Sequence, residues 1–82
     1  MAHIYLGNIH ASEDDLQAFL TRYGFPRFDA IQHFPGNGLQ PAVLLYYTDQ
    51  SQHALRMLLP RINGMFWNSR RISALLPTER FM

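Results

Sequence analysis

Two segments of helical periodicity are set between four short stretches of strand-like character, and that order constrains the fold more than any other feature. In residues 3–6, His3 and Tyr5 point one way and Ile4 and Leu6 the other, which predicts a strand with one apolar face. Gly7 and Asn8 end it. Ser12 then precedes Glu13, Asp14 and Asp15. A serine that can accept a backbone N–H, followed by carboxylates at the positive end of the helix dipole, is a strong helix start. Leu16, Phe19, Leu20 and Tyr23 recur at helical spacing as one buried stripe, and Gly24 and Pro26 stop the helix. A second strand falls within 28–34, where alternation is too poor to assign Phe28 and Phe34 to faces. Pro35-Gly36-Asn37-Gly38 reads as a turn. A third strand spans about 41–47, with Pro41 at its start because a residue lacking N–H cannot serve the middle of a ladder. Thr48 or Asp49 is expected to cap a second helix that buries Ala54, Leu55, Leu58, Leu59 and Ile62. Pro60 should kink or shorten that helix. Asn63-Gly64 ends it, Arg71 to Leu75 forms a last strand, and the residues after Pro77 read as a tail.

Strand, helix, strand, strand, helix, strand is the split βαβ, or ferredoxin-like, pattern of the α+β class. It places two helices on one face of a four-stranded antiparallel sheet. One domain is expected over residues 1–82, with 78–82 a short C-terminal tail. The sheet face away from the helices has no cover in this pattern. At 82 residues such a chain builds one small core. It has no cysteine, hence no disulfide and no thiolate chemistry. No apolar run approaches the roughly 18 residues of a membrane span and no secretory signal opens the sequence; a cytoplasmic location and no membrane partner are the expectation. The formal net charge is +1, and all seven basic residues are arginine. Arginine suits planar, bidentate phosphate contacts and stacks on bases, although compositional bias would give the same count. So small an excess implies weak nucleic-acid binding or a local patch.

Ile4-Tyr5-Leu6-Gly7-Asn8-Ile9 resembles the short first-strand motif of the RNA recognition motif family: aliphatic, aromatic, aliphatic, Gly, Asn, aliphatic. Ile62-Asn63-Gly64, followed by Ser69-Arg70-Arg71-Ile72, is similar to that family's Leu-Asn-Gly, hairpin, Gly-Arg-any-Ile pattern, with Ser69 in place of glycine. The resemblance runs from about residue 3 to residue 76. It implies the fold above and a single-stranded RNA-binding role for the open sheet face. The departure is the third strand. Aligned with Leu39 to Tyr46, the family octamer puts Pro41 and Val43 where aromatics would stack on bases, and Ala42, Leu44 and Tyr46 toward the core. Each stacking aromatic contributes about 1–3 kcal/mol, so losing two costs about 2–6 kcal/mol.

In that alignment Tyr5, Val43, Leu45, Tyr47, Ser73 and Leu75 occupy the open face, with His3 and Arg71 at its margin and Phe34 a further candidate for it. Under the resemblance, the RNA-binding set is Tyr5, Val43, Leu45, Asn8, Arg70, Arg71 and Leu75. Tyr5 would stack on a base, where the alternative is cross-strand packing on Val43. Arg71, with Arg70 or Arg27, would meet phosphate, or Arg70 and Arg71 would simply keep a strand end soluble. The apolar set Val43, Leu45 and Leu75 equally suits a protein partner or a homodimer through the same face. Trp67 is expected to pack and Phe66 to be exposed. Catalysis is not expected. Neither glycine-bearing segment has the form of a phosphate loop, Ser12 is better explained as a cap than as a nucleophile, and the four scattered histidines have no metal-site spacing. No cofactor is expected.

Overall fold

The computed structural model describes residues 2–34 and 40–77. The turn expected at Pro35–Gly38 and the tail at 78–82 lie outside them. β1 is Ala2–Gly7, α1 Glu13–Arg22, β2 Ala30–Phe34, β3 Ala42–Tyr47 and α2 Gln52–Leu58. A 3₁₀ turn follows at Leu59–Arg61, then β4 (Phe66–Trp67), β5 (Arg70–Arg71) and β6 (Ser73–Leu75). β2, β3, β1 and β6 make a four-stranded antiparallel sheet in that order, and β4 and β5 form a separate two-stranded ribbon.

Local chemistry accounts for the boundaries. The Ser12 hydroxyl accepts the Asp15 N–H at 3.2 Å, and three carboxylates fill the first turn of α1. At its other end Gly24 adopts φ 90°, which glycine takes without the Cβ penalty of other residues. The Phe25 N–H then bonds to the Leu20 carbonyl and the Gly24 N–H to that of Thr21, the double bond pattern of a Schellman stop. The Arg61 guanidinium donates to the Tyr23 carbonyl at 3.1 Å and covers the same end. α2 begins at Ser51, whose hydroxyl accepts the Ala54 N–H at 3.0 Å. The expected caps do not act: Thr48 instead donates its N–H and hydroxyl to Asp29, at 2.8 and 2.9 Å. Pro60 shortens α2 as expected, since the chain passes to a 3₁₀ turn with proline among its first residues. The last strand is interrupted at Ile72, whose side chain is buried in the core while its N–H donates to the Met65 carbonyl and its carbonyl accepts the Gly64 N–H, both at 2.8 Å.

One apolar core lies between the helices and one face of the sheet. Ile4, Leu6, Val43, Leu45 and Tyr47 meet Leu16, Phe19, Leu20, Leu55 and Ile62 there. Phe28 belongs to this core, while Phe34 is exposed. Trp67 closes one side of it by stacking on Phe19, with ring centroids 4.3 Å apart and planes at 20°. No helix among the described residues is long and apolar enough to cross a membrane.

Candidate nucleic-acid interface

Pairing fixes which side chains share the outer face of the sheet, because directly opposed residues of antiparallel strands project to the same side. Ile4 opposes Leu45 and Leu6 opposes Val43, so these four face the helices. Tyr5 opposes Leu44 on one flank and Leu75 on the other; His3 opposes Tyr46, and Gly7 opposes Ala42 and Ser73. β2 adds Gln32 beside Leu44 and Phe34 beside Ala42. The outer face therefore carries His3, Tyr5, Leu44, Tyr46, Gln32, Phe34, Ser73 and Leu75.

The expected facing of β3 is corrected by one residue. Val43 and Leu45 are 2% and 0% exposed, and Tyr47 is buried with them. Leu44 and Tyr46, expected in the core, lie on the outer face. A one-residue slip exchanges the faces of a whole strand. Here both sets of alternate residues, Ala42-Leu44-Tyr46 and Val43-Leu45-Tyr47, are apolar enough to be buried, so the pattern alone does not choose. Val43 and Leu45 are thus unable to touch a ligand on the outer face. Tyr5 and Leu75 are on it, Phe34 joins them, and sequence reasoning missed Tyr46. Val43 carries more apolar surface than Ala42, and this small difference was the one signal for the true facing.

The face has a built geometry. A Cβ added to Gly7 would lie 3.3 Å from Cε1 of Tyr5, so the Tyr5 ring rests over the bare glycine backbone. A glycine inside a strand commonly marks such a close approach. The Tyr46 hydroxyl donates to Oε1 of Gln32 at 3.0 Å, and its ring meets His3 edge-on, with centroids 4.9 Å apart. Phe34 is 39% exposed and Leu75 47%.

Asn8, Arg70 and Arg71 come together at the end of β1. Asn8 takes φ 60°, a conformation asparagine tolerates better than most residues. Its amide nitrogen donates to the Arg71 carbonyl at 3.0 Å, and its amide oxygen accepts from Nη1 of Arg70 at 2.9 Å. Asn8 thus clasps β1 to β5 and orients one guanidinium. The Arg71 guanidinium carbon sits 5.9 Å from the centre of the Phe66 ring, near the limit for a cation–π contact. Phe66 is exposed, as expected. Asn68 and Ser69 take φ 57° and 66°. Two successive positive φ values are those of a two-residue type I′ hairpin, and this explains the glycine-like role of Ser69.

Among the described residues no three His, Asp or Glu side chains come together as a metal site. The Ser12 hydroxyl is committed to its cap. The chain matches no family model and no curated protein sequence.

Proposed function

We propose that the chain is an RNA-binding module of the RNA recognition motif type that takes single-stranded RNA on its outer sheet face. The carrying observation is the Tyr5 ring laid over Gly7 on a face that also presents Tyr46, Phe34, Leu44 and Leu75. A ferredoxin-like arrangement is part of this proposal. Its support is the central pairing of β1 with β3, flanked by β2 and β6. In the corrected facing, the family octamer runs from Gln40 to Tyr47 and its two stacking positions fall on Ala42 and Leu44. Neither is aromatic. Tyr5 then supplies the principal stack, Tyr46 and Phe34 offer further ring surface, and Leu44 and Leu75 give sequence-tolerant apolar contact. Arg70, held by Asn8, and Arg71 would meet phosphate, with Arg27 as a further candidate cation. Such a module binds rather than catalyses, needs no cofactor and would work in the cytoplasm.

Titration with a pool of short single-stranded RNAs tests the proposal. Tyr5→Ala should weaken binding about 5- to 150-fold, the equivalent of one base stack. Two phosphate contacts predict a slope of about −1.4 in log affinity against log salt. Unchanged affinity in Tyr5→Ala would remove the mechanism. The exposure of Phe34 and Leu75 favours a second reading, a protein partner or a second copy docked on the same face. That association would keep its strength as salt rises, which separates the two readings in one experiment.

A further inference from the structure

Strand pairing lays four outward side chains in one row across the sheet. Gln32 opposes Leu44, Leu44 opposes Tyr5, and Tyr5 opposes Leu75. Neighbouring strands lie about 4.8 Å apart, so Gln32 stands roughly 10 Å from Tyr5 with Leu44 between them. A base beside the one stacked on Tyr5 therefore rests on the half-buried Leu44 and turns an edge toward Gln32. Gln32 is the one amide in that row, and the residues that pairing places on this face include no carboxylate or guanidinium to compete with it.

The Gln32 side chain is exposed, yet it is oriented. Its Oε1 accepts the Tyr46 hydroxyl proton at 3.0 Å, and the Tyr46 ring is braced edge-on against His3. An amide carries two N–H donors on its nitrogen and an acceptor oxygen, and a half-turn of the group exchanges them. The Tyr46 bond selects one of the two orientations. It turns the oxygen to Tyr46 and leaves the two N–H groups, which have no partner among the described residues, for a ligand. Glutamine grips adenine through both ends of its amide, the oxygen taking the amino proton and the nitrogen donating to the ring. With Oε1 engaged by Tyr46 the first half of that pairing is weakened. An exocyclic amino group facing Gln32 then sets N–H against N–H, whereas a carbonyl oxygen meets a donor.

We infer that Gln32, oriented by Tyr46, selects a base bearing an exocyclic carbonyl oxygen at its reading edge, uracil or guanine, over the amino bases cytosine and adenine. The inference rests on the RNA-binding reading of the outer face and adds a base preference to it. Gln32 donates through Nε2 to the carbonyl oxygen and Leu44 carries the ring. Tyr46 is a positioning residue.

Fluorescence anisotropy with end-labelled uridine and cytidine hexamers tests it, because the two pyrimidines share a ring size and differ at the exocyclic group and N3. The uridine hexamer should bind about two- to tenfold more tightly, the equivalent of one neutral hydrogen bond. Gln32→Glu presents only oxygen acceptors and should invert the ratio, whatever its charge does to both affinities. Tyr46→Phe keeps the ring, frees the amide to turn and should bring the ratio toward one. Tyr5→Ala should weaken both hexamers and leave their ratio in place. Equal binding of the two hexamers, a preference for cytidine, or a ratio unmoved by Gln32→Glu overturns the inference while the RNA-binding reading stands. A ratio unmoved by Tyr46→Phe overturns the positioning role of Tyr46. Binding to neither hexamer while a mixed RNA pool still binds also overturns the inference, and loss of the pool as well removes the RNA-binding reading with it.

Discussion

β1 and β3 lie side by side, six residues each, paired from Ala2 with Tyr47 to Gly7 with Ala42. β1 separates its faces by chemistry: Ile4 and Leu6 go inward, His3 and Tyr5 outward. β3 carries Ala42, Leu44 and Tyr46 on one side and Val43, Leu45 and Tyr47 on the other, and either set would be acceptable in a core. β1 settles its own facing. β3 takes its facing from β1 through the register of their shared ladder. A strand without chemical alternation is thus oriented by its neighbours, and its other apolar set is left on the outer face.

The largest expected effect tests this difference within β3 itself. Leu45→Ala removes a fully buried side chain and should cost about 2–5 kcal/mol in urea unfolding. Leu44→Ala, one residue away on the outer face, should cost less than about 1 kcal/mol because its side chain is only half-buried. Equal losses at the two positions would break the comparison. The same contrast in Ile4 and Tyr5 of β1 should separate folding from binding, with Tyr5→Ala acting on RNA affinity rather than on stability.

The contrast also explains what could be read in advance. The α1 start was legible because Ser12, the three acids and the apolar stripe all agree. The order of elements was legible for the same reason, since periodicity changes sharply at Gly7, Gly24 and Gly64. The α2 cap was not, because Thr48, Asp49 and Ser51 are all competent caps within four residues. A tertiary bond decided among them, when Asp29 captured Thr48. Of the outer sheet face, Tyr5 and Leu75 were legible from their own strands. Tyr46 required the register of β3, for which the extra apolar surface of Val43 over Ala42 was only a weak local hint, and Phe34 stayed open because β2 alternates poorly.

The inward side of β3 ends in an inconsistency that a single atom can resolve. The Tyr47 hydroxyl is buried with no hydrogen-bond partner among the described residues. An unpartnered buried hydroxyl costs about 1–3 kcal/mol, so Tyr47→Phe should raise stability by up to that amount. Burial first, and the nearby Asp29 charge second, push the Tyr47 hydroxyl above the usual tyrosine range. The folded state therefore keeps this proton at pH values where the unfolded chain releases it. The contribution is complete below about pH 10 and is lost as pH rises past that value. Tyr47→Phe should remove this alkaline decline, and a loss of stability in the variant would reveal a partner for the hydroxyl. In the β4–β5 ribbon, Ser69→Gly should add about 1 kcal/mol, because φ 66° is a left-handed conformation that glycine takes without strain.

The smallest effect lies where β3 leaves the sheet. Asp29 accepts the Thr48 N–H and then its hydroxyl, and these two bonds, in that order of weight, hold its carboxyl below the usual aspartate value; slight desolvation opposes them. A lowered folded-state value means the stabilisation is present above the unfolded value of about 3.9 and fades as pH falls through the folded one. Asp29→Asn should flatten the acid limb of stability against pH while changing the urea midpoint at pH 7 only slightly, since the side chain is exposed. It should also move the Tyr47 hydroxyl back toward its ordinary range by removing the neighbouring charge. If Asp29→Asn leaves both limbs unchanged, the end of β3 is held by its strand pairing alone, as the end of β1 would be without the Asn8 clasp. If it moves both, one carboxylate fixes both the exit of β3 and the proton on its last buried side chain.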